Sequence, residues 1–254
     1  MGYAWHMGKV NEYNAGERLY MGHGTPEEER RHIERYDFAA KHLTGGMRVL
    51  DAASGSGYGS AILASNGMTT VGLELSGHAV GFAHSAYGLD FRQADLNTPL
   101  DFPDESFDAV VSFETLEHVH NQKGLIAEFR RVLKYKGLLI ISTPDKNVLT
   151  GMSGGDNKFH VAELTKAEFW ELLCTNGFSS PMFFGQTKYV PLSAAKRRMK
   201  MLAKLDVFGF KRMVTRAFGL QRTVHGFFNS EEDTGIRPLK GSYYQMIAVA
   251  RKDG

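Results

Sequence analysis

Cysteine occurs once in these 254 residues, at Cys174, which excludes an intrachain disulfide and suits a reducing compartment. Proline is scarce, at seven, and no low-complexity tract interrupts the chain, so the composition is that of a globular protein. No apolar run approaches the roughly 18 residues of a membrane-spanning helix. The opening residues, Met1-Gly2-Tyr3-Ala4-Trp5-His6, lack the basic-then-apolar order of a secretory signal. A net charge of +2 exerts no global pull towards nucleic acid or membrane. These absences lead to the expectation of a cytoplasmic protein, one domain with an elaboration.

Glycine is plentiful, at 28, and it is concentrated where it carries information. Val49-Leu50-Asp51-Ala52-Ala53-Ser54-Gly55-Ser56-Gly57-Tyr58-Gly59 reads as a buried strand that runs into a glycine-rich turn. Glycine has no Cβ, so such a turn lets the backbone approach a ligand closely. Many nucleotide binders share this feature, and its meaning depends on the residues downstream of it.

Upstream, Thr25-Pro26-Glu27-Glu28-Glu29 is a helix start, with a capping threonine, proline at the first position and acids at the positive dipole end. Ile33, Tyr36, Ala40 and Leu43 repeat at helical spacing until Gly45-Gly46. Strands at 48–53, 69–75, 90–96, 107–113 and 138–143 then alternate with helices at 57–66, 77–87, 122–135 and 165–176. Further strands are expected at 178–185 and 243–250, the last without a crossover helix of its own. Alternation of this kind predicts a parallel sheet with helices on both faces, which binds ligands beyond the carboxyl ends of its strands. The expected organisation is a helical cap at 1–46, a core at 47–186, a basic insertion at 187–240 and a last strand at 241–254.

The insertion breaks the alternation. Residues 188–222 hold ten Lys or Arg and one acid, Asp206, with Val207, Phe210, Val214 and Phe218 on one helical face. Three uses suit a cationic amphipathic helix: a lid over an acceptor pocket, attraction to an anionic acceptor or membrane surface, and a solvated face or homodimer contact. No nucleic-acid recognition motif accompanies the charge.

Glu74 ends the second strand roughly 20 residues after Asp51, where a carboxylate can accept both hydroxyls of a ribose. A nicotinamide dinucleotide site would use the same acid. Asp95-Leu96 ends the third strand, where a carboxylate could accept from an adenine amino group.

With these pieces in place, the chain closely resembles the class I S-adenosylmethionine-dependent methyltransferases, specifically the type 11 group. The resemblance covers about 48–178 and rests on the 51–59 turn, Glu74, Asp95-Leu96 and Phe102-Pro103-Asp104-Glu105-Ser106-Phe107-Asp108. Glu117-His118-Val119, Arg131-Val132-Leu133-Lys134 and Ser142-Thr143-Pro144 add to it. Ala53 departs from the pattern, since many members have glycine there. The resemblance implies a Rossmann-like α/β fold, a seven-stranded sheet with an antiparallel last strand. It implies a cofactor site of Asp51, Ala53, Gly55, Gly57, Glu74, Leu75, Asp95, Leu96, Phe113 and Glu114. In that site Gly55 and Gly57 approach the methionine and ribose, Glu74 holds the ribose diol, and Asp95 with Leu96 surrounds the adenine. Phe113 and Glu114 lie near the reacting methyl. A nicotinamide oxidoreductase would not carry the Asp95 and 107–119 segments.

Methyl transfer from a sulfonium needs alignment of acceptor, methyl and sulfur, and a hydroxyl acceptor must also lose its proton. His118 and His160 are the candidate bases, both expected at the binding edge. Glu114, Glu117 and His118 share one face if a helix begins near Glu114, and two carboxylates with an imidazole could hold Mg2+. The same E-x-x-E-H arrangement resembles ubiquinone-pathway O-methyltransferases. No Asn/Asp-Pro-Pro-Tyr/Phe motif follows the fourth strand, which argues against methylation of a base amino group. Cys174, placed inside a helix, argues against a covalent cytosine mechanism. The expectation is O-methylation of a small molecule, with a sugar or lipid-linked saccharide favoured because 34–40 and 157–164 resemble enzymes of bacterial surface-glycan pathways. The rivals are a quinone or polyketide phenol as acceptor and, from another class, a scaffold that binds the cofactor or a nucleic-acid modifier. A lipid-linked acceptor would bring the chain to the membrane periphery.

Overall fold

The computed structural model describes residues 18–149, 159–186, 236–239 and 243–253. The basic insertion expected at 187–240 lies outside the described residues except for 236–239, and so does the part of the expected cap before Arg18.

Helix α1 (Pro26–His42) begins as its sequence dictates. The Thr25 hydroxyl accepts from the Glu28 amide at 3.3 Å, and Glu28 Oε2 accepts from the Thr25 amide at 2.9 Å, a reciprocal capping box. Its buried residues are Arg35, Tyr36 and Ala39, so one face of a largely charged helix turns inward.

The strands are β1 (Arg48–Ala52), β2 (Thr69–Glu74), β3 (Asp90–Gln93), β4 (Phe107–Ser112), β5 (Leu133–Pro144), β6 (Phe178–Gln186), β7 (Ile236–Pro238) and β8 (Gln245–Lys252). Between them run α2 (Tyr58–Ser65), α3 (Gly77–Tyr87), α4 (Gln122–Val132), the short α5 (Lys146–Leu149) and α6 (Lys166–Thr175). The sheet order is β3-β2-β1-β4-β5-β8-β6-β7, with β1 to β5 parallel and β8 antiparallel to both β5 and β6. Strand order reverses between β1 and β4, which opens a crevice at their carboxyl ends.

Neighbouring residues on each strand feed opposite layers, because side chains alternate across a sheet. Leu50, Val110 and Leu139 join Phe129 of α4 and Phe169 of α6 on one face. Val49, Ala109 and Ile140 join Ala39 of α1 and Ile62 of α2 on the other. Leu50 and Leu139 are fully buried, and truncating either to alanine would cost about 2–5 kcal/mol.

The Rossmann-like α/β architecture is as expected, with differences of detail. The described sheet has eight strands rather than seven, because Ile236–Pro238 pairs antiparallel with the end of β6. Three residues are too few to show a period, and they fall inside the segment read as the basic insertion. Strand β3 stops at Gln93 because Asp95 turns the chain, its Oδ1 accepting from the Asn97 amide at 2.9 Å. No helix begins near Glu114. Its φ of +52° is left-handed, only a single 3₁₀ turn forms at Leu116–His118, and α4 starts at Gln122. No helix among the described residues is long and apolar enough to cross a membrane.

Candidate active site

The crevice at the strand ends holds a cavity of about 640 Å³, within the range of small-molecule sites. Its floor is the turn after β1, where Ala53 (φ +65°), Gly55 (φ +58°) and Gly57 (φ +87°) are all left-handed. For Ala53 that conformation costs about 1–2 kcal/mol, strain of the kind found at ligand-binding turns. The two glycines differ in purpose. A Cβ on Gly55, which lines the cavity, would meet no atom within 4 Å, so it would project into the space a ligand needs. A Cβ on Gly57 would meet Ala83 Cβ and Phe91 Cζ at 2.7 Å. Gly57 therefore lets α3 and β3 pack beneath the turn, and it is not among the residues around the cavity.

Asp51 likewise lies under the turn rather than in the cavity. It is fully buried, accepts from Ser60 Oγ at 2.6 Å and from the Tyr36 hydroxyl at 3.0 Å, and ties α2 and α1 to the end of β1. Burial pushes its carboxyl up to about 6, against the pull of those two hydroxyls. Asp51 and Gly57, both expected among the cofactor residues, do not line the cavity and instead support the turn.

Glu74 borders the cavity where β2 ends. Its carboxylate accepts from the Gly55 amide at 3.2 Å, the Ser76 amide at 2.8 Å and Arg18 Nε at 2.8 Å. Leu75, Asp95 and Leu96 continue the same wall. The Asp95 carboxyl is held below its ordinary range by its hydrogen bonds from the amide and side chain of Asn97, so it stays an acceptor.

At the other end, Phe113 stacks edge-on against Tyr36 with ring centroids 5.0 Å apart. Glu114 accepts from Ser142 Oγ at 2.7 Å and from Gln245 Nε2, which joins the ends of β4, β5 and β8. Helix α1 contributes His32 and Arg35 to this wall. His32 bonds the Tyr58 hydroxyl at 2.6 Å, and burial beside Arg35 and Arg31 drives it well below the usual imidazole range, so it is neutral. The Arg35 guanidinium is buried, donates to Gln186 Oε1 at 2.8 Å and pairs with no carboxylate among the described residues. Its Nε has no hydrogen-bond partner.

His118 lines the cavity beside Phe159. Its Nδ1 donates to the Phe159 carbonyl at 2.9 Å, and His160 Nδ1 donates to Glu163 Oε1 at 2.7 Å. The two rings meet edge-on at 5.1 Å. Glu117, buried next to them, accepts from Thr143 Oγ1 at 3.1 Å. Glu114 does not join this group, contrary to the expected Glu114, Glu117 and His118 cation set. The left-handed backbone at Glu114 and its bonds to Ser142 and Gln245 hold it on the sheet side.

The family model described as a methyltransferase domain, type 11, matches residues 50–141. That match, together with the fold, supports a class I S-adenosylmethionine-dependent methyltransferase core. The chain is 37% identical over 153 residues to a protein of Mycolicibacterium smegmatis named a probable S-adenosylmethionine-dependent methyltransferase, covering 59% of this chain and 58% of that one. It is 30% identical over 127 residues to the ubiquinone biosynthesis O-methyltransferase of Idiomarina loihiensis, covering 47% and 52%. The chain thus spans a little over half the length of these curated relatives. The fold is shared with a solved S-adenosylmethionine-dependent methyltransferase of Thermotoga maritima, at a TM-score of 0.61 and 17% identity over 89% of this chain and 95% of that one.

The methyltransferase domain gathers Ala53, Gly55, Glu74, Leu75, Asp95, Leu96, Phe113, Glu114 and His118 around one cavity. The residues fit S-adenosylmethionine: a cradle that a Cβ at Gly55 would fill, carboxylates at the Glu74 and Asp95 end, and a buried guanidinium with an orphaned Nε. Sequence reasoning missed Arg18, His32, Arg35 and Tyr58 in this wall. The only signal for Arg35 was its place, between Ile33 and Tyr36, near the apolar face of α1.

Proposed function

We propose that this chain methylates a hydroxyl oxygen of a small molecule, with a sugar or lipid-linked saccharide as the favoured class. One observation carries the reading: a single cavity is lined both by carboxylates suited to a nucleoside, Glu74 and Asp95, and by His118. S-adenosylmethionine supplies an electrophilic methyl group on a sulfonium. Glu74 accepts from the ribose hydroxyls, a role in which Arg18 shares the carboxylate or gives way. Asp95 accepts from the adenine amino group. Arg35 meets the methionine carboxylate, the anion its buried charge lacks. Phe113 and Glu114 border the transferring methyl, and the packed walls hold acceptor and sulfonium in line.

The acceptor's proton leaves at the His118 and His160 edge. Nδ1 of His118 donates to a carbonyl, which only accepts, so Nε2 is the ring nitrogen that can take up a proton. His160 is the positioning partner, fixed by Glu163. Phe159 and Val161 are 47% and 45% exposed at this edge, an apolar rim that suits a lipid-linked or otherwise amphipathic acceptor and contact with a membrane surface. The similarity to a ubiquinone biosynthesis enzyme supports a phenol as the second reading. A cytoplasmic place and a homodimer remain part of the proposal.

The test is transfer of labelled methyl from S-adenosylmethionine into fractionated extract by the purified chain. Label in an alkali-stable ether of a glycan or glycolipid fraction is expected. Label only in N-methyl or nucleic-acid products would overturn the O-methyltransferase reading.

A further inference from the structure

The cluster of Glu117, His118 and His160 has more structure than a proton acceptor requires. One ligand-capable atom from each lies within 4.8 Å of those of the other two. Glu117 is buried and the two imidazoles are half-buried, with His118 lining the cavity. Each imidazole is anchored through Nδ1, one by the Phe159 carbonyl and the other by the Glu163 carboxylate. Both anchors accept only, so Nε2 is the ring nitrogen that each imidazole can offer to an ion. Orientation of this kind, with the far ring nitrogen donating to a carbonyl or carboxylate, is how histidine ligands are held at metal centres. The carboxylate is held too, through Thr143 Oγ1 at 3.1 Å.

We propose that Glu117, His118 and His160 form a divalent-cation site, and that it selects a first-row transition ion such as Mn2+, Co2+ or Zn2+ over Mg2+. Two imidazoles and one carboxylate are a mixed nitrogen and oxygen set with open positions. Mg2+ takes oxygen ligands and dehydrates reluctantly, so two nitrogen donors serve it poorly. Ligands about 2.1 Å from one ion stand roughly 3.0–3.4 Å apart, so closure needs small side-chain rotations. The backbone is already braced for this, with the Val161 amide donating to the Glu117 carbonyl at 2.7 Å across the two loops. This set differs from the Glu114, Glu117 and His118 expectation by exchanging an oxygen donor for an imidazole, and that exchange changes the preferred ion.

The inference deepens the proposed O-methyltransferase reading, since a cation here borders the acceptor end of the cavity and would lower the pKa of a bound hydroxyl. Ion binding is measured separately from turnover. The full chain, stripped with chelator, is titrated with Co2+ and followed by visible absorption. One equivalent is expected to bind, with competition by Zn2+ and little by millimolar Mg2+. His160→Ala is expected to weaken Co2+ at least tenfold, Glu163→Gln to weaken it less, and Glu114→Gln to leave it unchanged. S-adenosylhomocysteine binding by the same samples reports on the methyltransferase reading alone. No binding by the native chain, or equal binding by His160→Ala in a folded sample, would overturn the cation site. Loss of Co2+ in Glu114→Gln with retention in His160→Ala would restore the oxygen-rich set instead.

Discussion

Asp51 gives the sharpest quantitative consequence of the fold. Its carboxyl rises to about 6 in the folded chain from an ordinary 3.8, chiefly because burial penalises the charged form. A carboxyl raised by folding binds more protons in the folded state than in the unfolded state between those two values. Its contribution to stability is therefore complete below pH 3.8 and is lost as pH rises through about 6. The whole span corresponds to about 3 kcal/mol, of which about 2 kcal/mol falls between roughly pH 4.5 and roughly pH 7.5. Asp51→Asn removes the titration while keeping an oxygen to accept from Ser60 or Tyr36. The assay is urea unfolding of both proteins at the two pH values. The stability of the native chain relative to Asp51→Asn should fall by about 2 kcal/mol from the lower pH to the higher. Taking the difference cancels groups common to both proteins. A difference that stays constant, or grows with pH, would refute the assignment of Asp51 as a carboxylate buried against its preference.

The two glycines separate stability from binding. Gly57→Ala forces a left-handed alanine against Ala83 and Phe91 and should cost about 2 kcal/mol or more in unfolding experiments. Gly55→Ala, with open space around it, should cost about 1 kcal/mol yet weaken S-adenosylhomocysteine at least tenfold by calorimetry; equal affinity would show that the cradle lies elsewhere. Glu74→Gln should also weaken that ligand about tenfold or more, since a primary amide offers one acceptor where the ribose diol needs two; an unchanged Kd would remove Glu74 from the ribose site.

Much of the scaffold was legible because it is local. Strands β1, β2 and β4 are buried apolar runs, and α1 and α6 announce themselves through Thr25 with Glu28 and Thr165 with Glu168. Glu74 and Asp95 could be placed because strand ends fix where a carboxylate emerges. The failures have a common cause. A spacing of three and four suggests one helical face only if the backbone is helical, and at Glu114 it is left-handed. A glycine in a turn looks the same whether it makes room for a ligand, as at Gly55, or for a phenylalanine, as at Gly57. Arg35 reads as solvent-facing on a helix rich in charge, and its partner Gln186 stands 151 residues away.

Those long separations also explain why the last strand matters to the chemistry. Strand β8 pairs with β5 from Leu138 to Pro144 and with β6 from Phe178 to Gln186, so it is the only described strand that joins them. Its first residue, Gln245, holds Glu114 at the cavity wall. Through β6 it also sets Gln186, which accepts from Arg35 and donates to the Arg31 carbonyl at 3.0 Å on α1. The Gly55, Glu74 and Asp95 side of the cavity is thus made by a contiguous stretch, β1 to β3, whose geometry the sequence pattern carries. The Glu114 and Arg35 side of the cavity is made where β4, β5, β6 and β8 converge on α1. Because that side depends on strands more than 100 residues apart, no local sequence pattern carries its geometry.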